Sequence, residues 1–332
     1  MSGLADIVRR FSGKRMVVIG DAIADQFIYG EISRVSREAP VFILRHEHTE
    51  TTPGGAGNCA ANLASLGARV SLVSVVGDDE AGQVLHQKLR ESGIDTKHVL
   101  VANERHTTTK VRVLAGQIHS TRQQVIRIDY DGEAELSSQL RNELGAAVAR
   151  SVDDADAFII SDYNYGVAAP QIAEVIREAI QTRKTPVLVD SRFRLSQFPG
   201  FTSATPNEDE VEKLLGAEHS DEAALAAAAE GLRQKLGYQA LLVTRGGHGM
   251  ILLEANTAPL HIDAAGSRQP LDVTGAGDTV MATYALALAS GASFADAAKL
   301  ANFAGGIVVM KRGTATVSTD ELLTSIDEMT SK

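Results

Sequence analysis

The chain has 332 residues, of which 44% are hydrophobic and 22% are charged, and its formal net charge is -10. This size and composition suit one large α/β domain of a globular protein. The acidic balance argues against nonspecific nucleic-acid binding, which depends on clustered Lys and Arg. The single cysteine, Cys59, excludes an internal disulfide and a Cys-cluster zinc site, and it favours a reducing compartment.

Residues 1–14 mix charged and apolar side chains and lack the apolar run of a signal peptide. No stretch of the chain reaches the ~20 apolar residues of a membrane span. We therefore expect a cytoplasmic protein that has no membrane and no nucleic-acid partner.

Short apolar runs alternate with helical stretches along most of the chain. The predicted buried strands are Met16–Ile19, Val70–Val76, Ala157–Ile160, Val187–Val189 and Leu241–Val243. The predicted helices are Gly57–Ala68, Asp79–Ser92, Gln171–Thr182, Ala223–Leu236, Gly277–Ala289, Ser293–Met310 and Thr319–Met329. This alternation predicts a central, mainly parallel sheet flanked on both faces by helices. Because no repeat or Pro/Gly-rich linker interrupts it, residues 1–332 are predicted to form one domain.

Two segments, at about 27–46 and 106–128, depart from this rhythm. They are rich in alternating, β-branched residues, as in Thr107–Val113 and Gln124–Ile128. This pattern predicts antiparallel strands outside the main sheet, which form either a small β-sheet lid or surface hairpins. The open edges of lid strands need a cover, and pairing of two lids would give a homodimer.

The motif Asp272–Asp278 (DVTGAGD) directly precedes a predicted helix. Gly275 and Gly277 permit a tight turn that exposes consecutive backbone N–H groups at the helix N-terminus, where an anion is favoured. A carboxylate in such a site suits phosphoryl transfer: the N–H groups would stabilise the moving phosphoryl group, and Asp278 would take the acceptor's hydroxyl proton. The alternative is a structural N-cap on a Gly-rich turn.

A second glycine-rich motif, Pro53–Asn62 (PGGAGNCAAN), also precedes a helix. Glycines let a backbone approach a ligand, and an Asn side chain can both donate to and accept from hydroxyls, which suits a polyol. These properties assign a ligand role to Gly54, Gly55 and Asn58. Tight helix–sheet packing by small residues is the alternative, and it stays open for Asn62.

Two carboxylates, Asp21 and Asp25, follow the first predicted strand. In parallel α/β sheets, ligands bind beyond the carboxyl ends of strands. The pair could grip sugar hydroxyls, and one of the two could instead cap a turn or helix.

Two further motifs have weaker signals. Asn207 and Glu210 lie at the start of a helix, where they could hold hydrated Mg²⁺ near phosphates or could simply be a favourable acidic first turn. Thr244–Gly249 (TRGGHG) is either a glycine turn that contacts a nucleotide or a β-hairpin turn.

Together, these motifs resemble the ribokinase/PfkB family of carbohydrate kinases, and the resemblance runs from Met16 to about Val317. Its most specific segments are Gly54–Asn58 and Asp272–Asp278. The family fold is a central, mainly parallel sheet with a β lid over the sugar. The resemblance implies an ATP-dependent kinase that uses Mg²⁺.

The resemblance also implies a role for each matching residue, with Asp278 as the catalytic base. The implied anion hole is Gly275, Ala276 and Gly277. The implied sugar site contains Asp25, Gly54, Gly55 and Asn58. The family's Asn-x-x-Glu element for Mg²⁺ and phosphate corresponds to Asn207 and Glu210. The implied nucleotide site contains Thr244, Gly246, Gly247 and Asn302. A monovalent-cation site in the family lies near Asp272 and Thr274.

Within the family, the segments Ser33–Val41, Thr109–Arg112 and Ile126–Asp129 resemble the kinases that phosphorylate the anomeric hydroxyl of D-glycero-β-D-manno-heptose 7-phosphate for ADP-heptose and lipopolysaccharide synthesis. Such a substrate already carries a phosphate, so its site needs cations. The cations of the predicted lid segments are Arg34, Arg37, Lys110, Arg112, Arg122 and Arg127. Two or three of these are expected to contact substrate, with ordinary surface charge as the alternative.

Two other functions remain open at this point. The first is another sugar or sugar-phosphate kinase, ribokinase-like or phosphofructokinase-like. The second is a non-catalytic sugar or nucleotide sensor, although a sensor has no need of the base Asp278. Many relatives fuse this kinase to a nucleotidyltransferase domain, and the absence of an HxGH-type segment here leads us to expect a stand-alone kinase.

Overall fold

The computed structural model describes residues 2–116, 122–132, 135–151, 155–180, 185–217, 221–266 and 269–330. Its strands form from apolar runs of β-branched and aliphatic residues. The strands are β1 (Arg15–Gly20), β2 (Ala22–Val35), β3 (Phe42–Gly55), β4 (Arg69–Gly77), β5 (Asp95–Ala102), β6 (Thr109–Gly116), β7 (Gln123–Tyr130), β8 (Ala157–Asp162), β9 (Val187–Ser191), β10 (Ser203–Ala204), β11 (Ala240–Thr244), β12 (Met250–Glu254) and β13 (Leu260–Ile262).

The helices follow the 3.6-residue apolar period between these strands. They are α1 (Ser2–Arg9), α2 (Ala56–Ser65), α3 (Glu80–Glu91), α4 (Ser138–Ser151), α5 (Pro170–Ile180), α6 (Glu208–Leu215), α7 (Glu222–Leu236), α8 (Ala276–Ala289), α9 (Phe294–Val308) and α10 (Thr319–Thr330).

Nine of the strands form the central sheet, in the order β13-β12-β11-β10-β9-β8-β1-β4-β5. The pairs from β11 to β5 are parallel, whereas β12 and β13 add antiparallel strands at one edge. Helices cover both faces of the sheet. The prediction of a central, mainly parallel sheet flanked by helices is therefore confirmed.

The central strand β1 shows why both faces need helices. Met16 and Val18 join the core that includes α2, α8 and α9, and Val17 and Ile19 join the core that includes α4, α5 and α7. All four side chains are at most 4% exposed. Each buried aliphatic side chain of this size contributes about 1.5–3 kcal/mol to stability, so a strand that is apolar on both sides anchors both layers.

The remaining four strands form a second, smaller sheet in the order β3-β2-β6-β7. This sheet, which we call the small sheet, contains the two segments that interrupt the alternation of strands and helices in the sequence. The pairs β2–β3 and β6–β7 are antiparallel, as predicted, but the central pair β2–β6 is parallel. The prediction of purely antiparallel strands was wrong there, because β2 and β6 leave the main sheet in the same direction after separate main-sheet strands.

The elements without a counterpart in the sequence prediction are α1, α4, β5, β10 and β13. The end of the predicted helix Gln171–Thr182 (residues 181 and 182), and residues 117–121 of the second predicted lid segment, lie outside the described residues. In the part of the chain that the structure describes, no helix combines the length and the apolar character needed to cross a bilayer.

Gly20 gives a test of the close backbone approach between β1 and β8. It pairs with Ser161, and an added Cβ would lie 2.0 Å from the Ser161 carbonyl oxygen. We expect Gly20→Ala to lower the free energy of unfolding by about 1–3 kcal/mol, since overpacking forces backbone shifts. Urea unfolding checks this. Gly3→Ala is the control, because its Cβ meets nothing within 4 Å. Equal midpoints for Gly20→Ala and wild type would contradict the tight packing.

Candidate active site

The carboxyl ends of the parallel strands meet at one edge of the main sheet, beneath the small sheet. A cavity of about 520 Å³ opens there. Its main-sheet wall includes Asp162, Asp190 and Thr205, and its small-sheet wall includes Asp25 and Lys110. This is the position at which open α/β sheets bind ligands, because the loops after parallel strands converge there.

Asp278 lies in the first turn of α8 and faces this cavity, although it is only 4% exposed. Its Oδ2 accepts a hydrogen bond of 2.9 Å from Asn58 Nδ2, and its Oδ1 accepts one of 2.9 Å from the Tyr163 hydroxyl. Burial raises the pKa of Asp278 to about 6, while the two hydrogen bonds oppose that rise. Asp25 raises it further, and Lys110 lowers it. The carboxyl is therefore largely ionised at neutral pH but basic enough to take a proton.

Asn58 does not line the 520 Å³ cavity; it holds Asp278 from behind. Its own carbonyl oxygen Oδ1 accepts from Asn62 Nδ2 at 3.1 Å. Asn62 Oδ1 in turn accepts from the Thr279 hydroxyl at 3.1 Å and from the Val317 N–H at 3.2 Å. Asn58 therefore positions Asp278, and Asn62 holds Asn58 in place within the core, while the ligand role of Asn58 stays a prediction.

Two glycines leave room for these polar side chains. Gly275 has a φ of +74°, and a Cβ there would lie 2.4 Å from Asn58 Nδ2. A Cβ on Gly54 would lie 2.3 Å from Asp25 Oδ2. Both positions therefore require glycine, because a neighbouring side chain approaches the backbone there. Gly55 does line the large cavity.

A second cavity of about 190 Å³ lies on the other side of the α8 N-terminus. Gly277, Thr244 and Val273 line both cavities. The predicted nucleotide residues Gly246, Gly247 and Asn302 line the smaller cavity, as does Ala276. The predicted residues Thr274 and Gly275 line the larger one. The glycine turn before α8 is thus the partition between two adjoining spaces.

Asn302 shapes the wall of the smaller cavity through the backbone. Its Nδ2 donates to the Asp263 carbonyl at 2.8 Å, and its Oδ1 accepts from the Ala265 N–H at 3.3 Å. Ala265 lines that cavity. The Ala276 N–H donates to the Val273 carbonyl at 3.3 Å, so this donor of the predicted anion hole is engaged within its own turn.

Four cations line the large cavity, and they differ in their partners. Arg112 Nη1 pairs with Asp25 Oδ1 at 2.6 Å, and Arg127 makes two bonds of 2.7 Å to Asp129. Within the described part of the chain, Lys110 and Arg192 have no carboxylate within 4.0 Å.

Lys110 contacts aromatic rings instead of a carboxylate. Its Nζ lies 5.2 Å from the ring centroid of Tyr163 and 6.0 Å from that of Tyr165. Burial lowers the pKa of Lys110, and Asp25 partly restores it. The ammonium group is thus buried, and no carboxylate of the described residues forms an ion pair with it.

Acidic side chains line the opposite wall. Burial, together with Glu210, Asp278 and Asp162, raises the pKa of Asp190 well above its usual value. Burial also raises the pKa of Glu210, whose Oε2 accepts from the Asn207 N–H at 2.9 Å. Asn207 Oδ1 accepts from the Glu210 N–H, so the two residues form a capping box at the start of α6. Both still line the cavity, so the box and a ligand role are compatible.

Asp21 lies outside both cavities. Its carboxylate accepts the N–H groups of Tyr163, Tyr165 and Val167 at 2.9, 3.0 and 3.0 Å. The structure therefore favours the turn-cap alternative for Asp21 over contact with sugar hydroxyls. Asp25, by contrast, lines the cavity.

The polar and charged cavity residues that the sequence reasoning missed include Asp162, Tyr163, Asp190 and Arg192. A signal existed, since Asp190 directly follows the predicted strand Val187–Val189, and Asp162 comes two residues after Ala157–Ile160. The strand-end rule applied to Asp21 and Asp25 would have found both. Tyr163 carries no comparable signal, because its contact with Asp278 joins residues 115 positions apart.

Comparisons with known proteins match this geometry. The family model described as pfkB family carbohydrate kinase matches residues 14–321. The chain is 38% identical over 322 residues to a "Bifunctional protein HldE" of Desulfatibacillum aliphaticivorans, covering 97% of this chain and 65% of the relative. It is 41% identical to the protein of the same name from Caulobacter vibrioides, covering 96% and 65%. The chain thus spans just under two thirds of the length of these relatives.

Solved structures share the fold. Arabidopsis thaliana ribokinase, complexed with ribose and ATP, aligns with a TM-score of 0.72 at 21% identity, covering 95% of this chain and 99% of that one. Phosphofructokinase-2 from Escherichia coli, in complex with potassium, aligns with a TM-score of 0.78 at 18% identity, covering 96% and 99%. These alignments confirm the ribokinase-like fold with its smaller separate sheet.

The buried pair between Asp25 and Arg112 gives the site's stability test. Their side chains are 6% and 11% exposed. We expect Arg112→Met to lower the free energy of unfolding by about 3–5 kcal/mol, because it leaves a buried carboxylate without its partner. The double variant Asp25→Asn/Arg112→Met should recover much of that loss. Chemical denaturation measures both.

Arg127→Met is the matched control in the same sheet. Its pair with Asp129 is 39% and 35% exposed, so we expect a loss below about 1 kcal/mol. Equal losses for Arg112→Met and Arg127→Met would contradict a special cost for the buried pair.

Proposed function

The chain belongs to the pfkB family of carbohydrate kinases, and from this premise we propose that it transfers the γ-phosphoryl group of ATP to a hydroxyl of a sugar phosphate. The observation that carries the proposal is the position of Asp278 at the partition between two cavities. An acceptor in the large cavity and a nucleotide in the small one would meet at Gly277 and Asp278.

Asp278 would accept the acceptor's hydroxyl proton as the oxygen–phosphorus bond forms and the bond to ADP breaks. Its pKa of about 6 leaves it ionised at pH 7 and matches the demand on a general base. The N-terminus of α8, with Gly277 exposed to both cavities, would stabilise negative charge on the moving group. The small sheet above the cavity would exclude water and limit hydrolysis.

The cavity cations support an acceptor that already carries a phosphate. Lys110 and Arg192 are the two without a carboxylate partner in the described residues, and they face the same cavity. Lys110 is buried, and burying a cation without an ion-pair partner is costly, so an anionic ligand beside Lys110 would stabilise the site. Arg127 is a third contact, although it must share its guanidinium with Asp129.

Our proposed acceptor is D-glycero-β-D-manno-heptose 7-phosphate, phosphorylated at the anomeric hydroxyl to the 1,7-bisphosphate for ADP-heptose and lipopolysaccharide core synthesis. The support is the resemblance of the small-sheet segments to heptose 7-phosphate kinases. Three residues of these segments, Lys110, Arg112 and Arg127, line the cavity.

The acidic wall fits Mg²⁺, which would bridge nucleotide phosphates and neutralise their charge. Burial raises the pKa of both Asp190 and Glu210, and the negative charge of Glu210 raises that of Asp190 further, so a divalent cation would stabilise the ionised forms. Among the described residues, no group of three or more His, Cys, Asp or Glu side chains could hold a metal unaided. Mg²⁺ takes few protein ligands and keeps several waters, so one or two carboxylates together with nucleotide phosphates would be enough to hold it. Asp272 is engaged by the N–H groups of Thr274 and Gly313, and the family's monovalent-cation site near it stays a prediction.

Asp278→Asn tests the base. We expect turnover to fall by more than ~100-fold with little change in ATP affinity, because the amide cannot accept the proton. Asp296→Asn is the matched control: Asp296 is also the third residue of its helix, α9, but lines neither cavity. ADP release under Mg-ATP measures turnover, and calorimetry measures ATP binding. Near-normal turnover of Asp278→Asn would contradict the assignment of Asp278 as the general base.

A panel of sugars and sugar 5-, 6- and 7-phosphates defines the acceptor in the same assay. Turnover restricted to heptose 7-phosphate would support the proposed substrate. Turnover with another sugar would keep the mechanism and discard the lipopolysaccharide role. Binding of sugar or nucleotide without turnover on any acceptor would support a sensor.

We also propose that the protein forms a homodimer through the outer face of the small sheet. Ile126, Ile128 and Tyr130 alternate along β7 with the cavity-facing Arg127, and they are 53%, 41% and 57% exposed. A cluster of exposed apolar side chains on one sheet marks a contact surface.

We expect Ile126→Asp/Ile128→Asp to convert a dimer of twice the 35.2 kDa chain mass into a monomer. Sedimentation velocity distinguishes the two. Val101→Asp is the control, since Val101 is 55% exposed on the edge strand β5 of the main sheet. A wild-type monomer at micromolar concentration would contradict the dimer.

A further inference from the structure

Tyr163 occupies a position that connects the base to the cation wall. It follows directly after β8, and its backbone N–H donates to Asp21 Oδ2 at 2.9 Å. Its hydroxyl donates to Asp278 Oδ1 at 2.9 Å, and Lys110 Nζ lies 5.2 Å from its ring centroid. One side chain therefore contacts both the proposed base and a proposed phosphate-binding cation.

We propose that Tyr163 is a positioning residue with two separable roles: its hydroxyl orients Asp278 and keeps it ionised, and its ring holds Lys110 for the acceptor's phosphate. The inference rests on the proposed function, because it assumes that Asp278 is the base.

The hydroxyl's role follows from the number of donors around Asp278. An ionised carboxylate offers about four lone-pair sites, of which Asn58 and Tyr163 occupy one on each oxygen. The remaining site on each oxygen is free for the acceptor hydroxyl. The two donors together fix the plane of the carboxylate, so that the free sites point in defined directions.

Tyr163 must stay protonated to act in this way, and its surroundings ensure that. Burial and the negative charge of Asp278 raise the pKa of Tyr163 well above its usual value. The hydroxyl therefore stays a donor at any pH at which the enzyme works. It lowers the pKa of Asp278, against the effect of burial. Removing the hydroxyl must then move the pKa of Asp278 upward.

The ring's role is independent of the hydroxyl. A cation over an aromatic face is attracted by the ring quadrupole, most strongly where water is excluded. Lys110 is only 6% exposed and has no carboxylate within 4.0 Å in the described residues. The Tyr163 ring therefore supplies the nearest face that stabilises the ammonium group between turnovers.

Tyr163→Phe tests the hydroxyl because it keeps the ring. We expect the kcat at pH 7 to fall about tenfold and the acid limb of the pH–kcat/KM profile to move from about pH 6 to higher pH by about one pH unit. The defect should shrink at pH 8.5, where the base is ionised without help. The KM for the acceptor should stay near the wild-type value, because Lys110 keeps its ring.

Tyr163→Leu removes the ring as well. We expect the same change in kcat and, in addition, a rise of about fivefold in the acceptor's KM. Tyr165→Phe is the matched control: its hydroxyl bonds to Asp131 Oδ1 at 2.7 Å and does not reach Asp278. It should leave the acid limb in place. Thermal unfolding of every variant separates these effects from a loss of structure.

Replacement of Tyr163 by 3-fluorotyrosine gives a second test of the hydroxyl if Tyr163→Phe does not fold. Its hydroxyl is a stronger donor, so the acid limb should stay at or below that of wild type. A folded Tyr163→Phe with an unshifted acid limb would overturn the proposal, as would a fluorotyrosine limb moved to higher pH. If either result is obtained and Asp278→Asn is inactive, only the proposed role of Tyr163 is wrong. If Asp278→Asn retains turnover, the proposed function itself is wrong.

Discussion

The burial of one carboxylate, Asp278, is the constraint on which the rest of the site depends. A buried carboxylate without partners would simply be protonated, and a protonated acid cannot serve as a base. Two neutral donors, from Asn58 and Tyr163, keep its pKa near 6 rather than higher. Because both donors are neutral, Asp278 forms no tight ion pair with them. Such an ion pair would lower the pKa of Asp278 and make it a weaker base. The surrounding elements serve to bring these donors to the α8 N-terminus.

The topology explains how distant segments reach that point. Asn58 comes from α2, which begins where the small sheet returns to the main sheet, and Tyr163 comes from the end of β8. Because β1 and β8 pair in the parallel direction, the segments that follow these two strands leave the sheet at the same edge. Asp21 secures the loop after β8 by accepting three backbone N–H groups. Asp21 therefore helps to set the position of Tyr163, which contacts Asp278.

Much of the fold could be predicted from the sequence, because apolar runs of strand length alternate with helical periods. The glycine motifs before α2 and α8 likewise located the site, since Gly275 has the positive φ that such turns require. The roles within the site could not be predicted in the same way. Gly54 and Asn58 were predicted to contact a ligand, and the sequence did not indicate that they also contact Asp25 and Asp278, because these contacts join residues far apart in the chain. The helix α4 escaped prediction because its apolar period is weak, and the strands β10 and β13 escaped it because they are only two and three residues long. The helix α1 has a clear apolar period, which the interpretation of residues 1–14 as mixed charged and apolar side chains missed.

The two walls of the large cavity carry opposite balances of charge, and this difference follows from the two-sheet construction. The small sheet contributes Lys110, Arg112 and Arg127 against one carboxylate, Asp25, whereas the main-sheet side contributes Asp162, Asp190 and Glu210 against one cation, Arg192. A sugar phosphate in this field would place its phosphate against the small sheet and its free end toward Asp278. A nucleotide with its divalent cation would place the cation against the acidic wall. Because the two walls belong to different sheets, a change in the packing of the small sheet would alter acceptor binding without disturbing the acidic wall, and acceptor recognition can vary on a fixed catalytic frame.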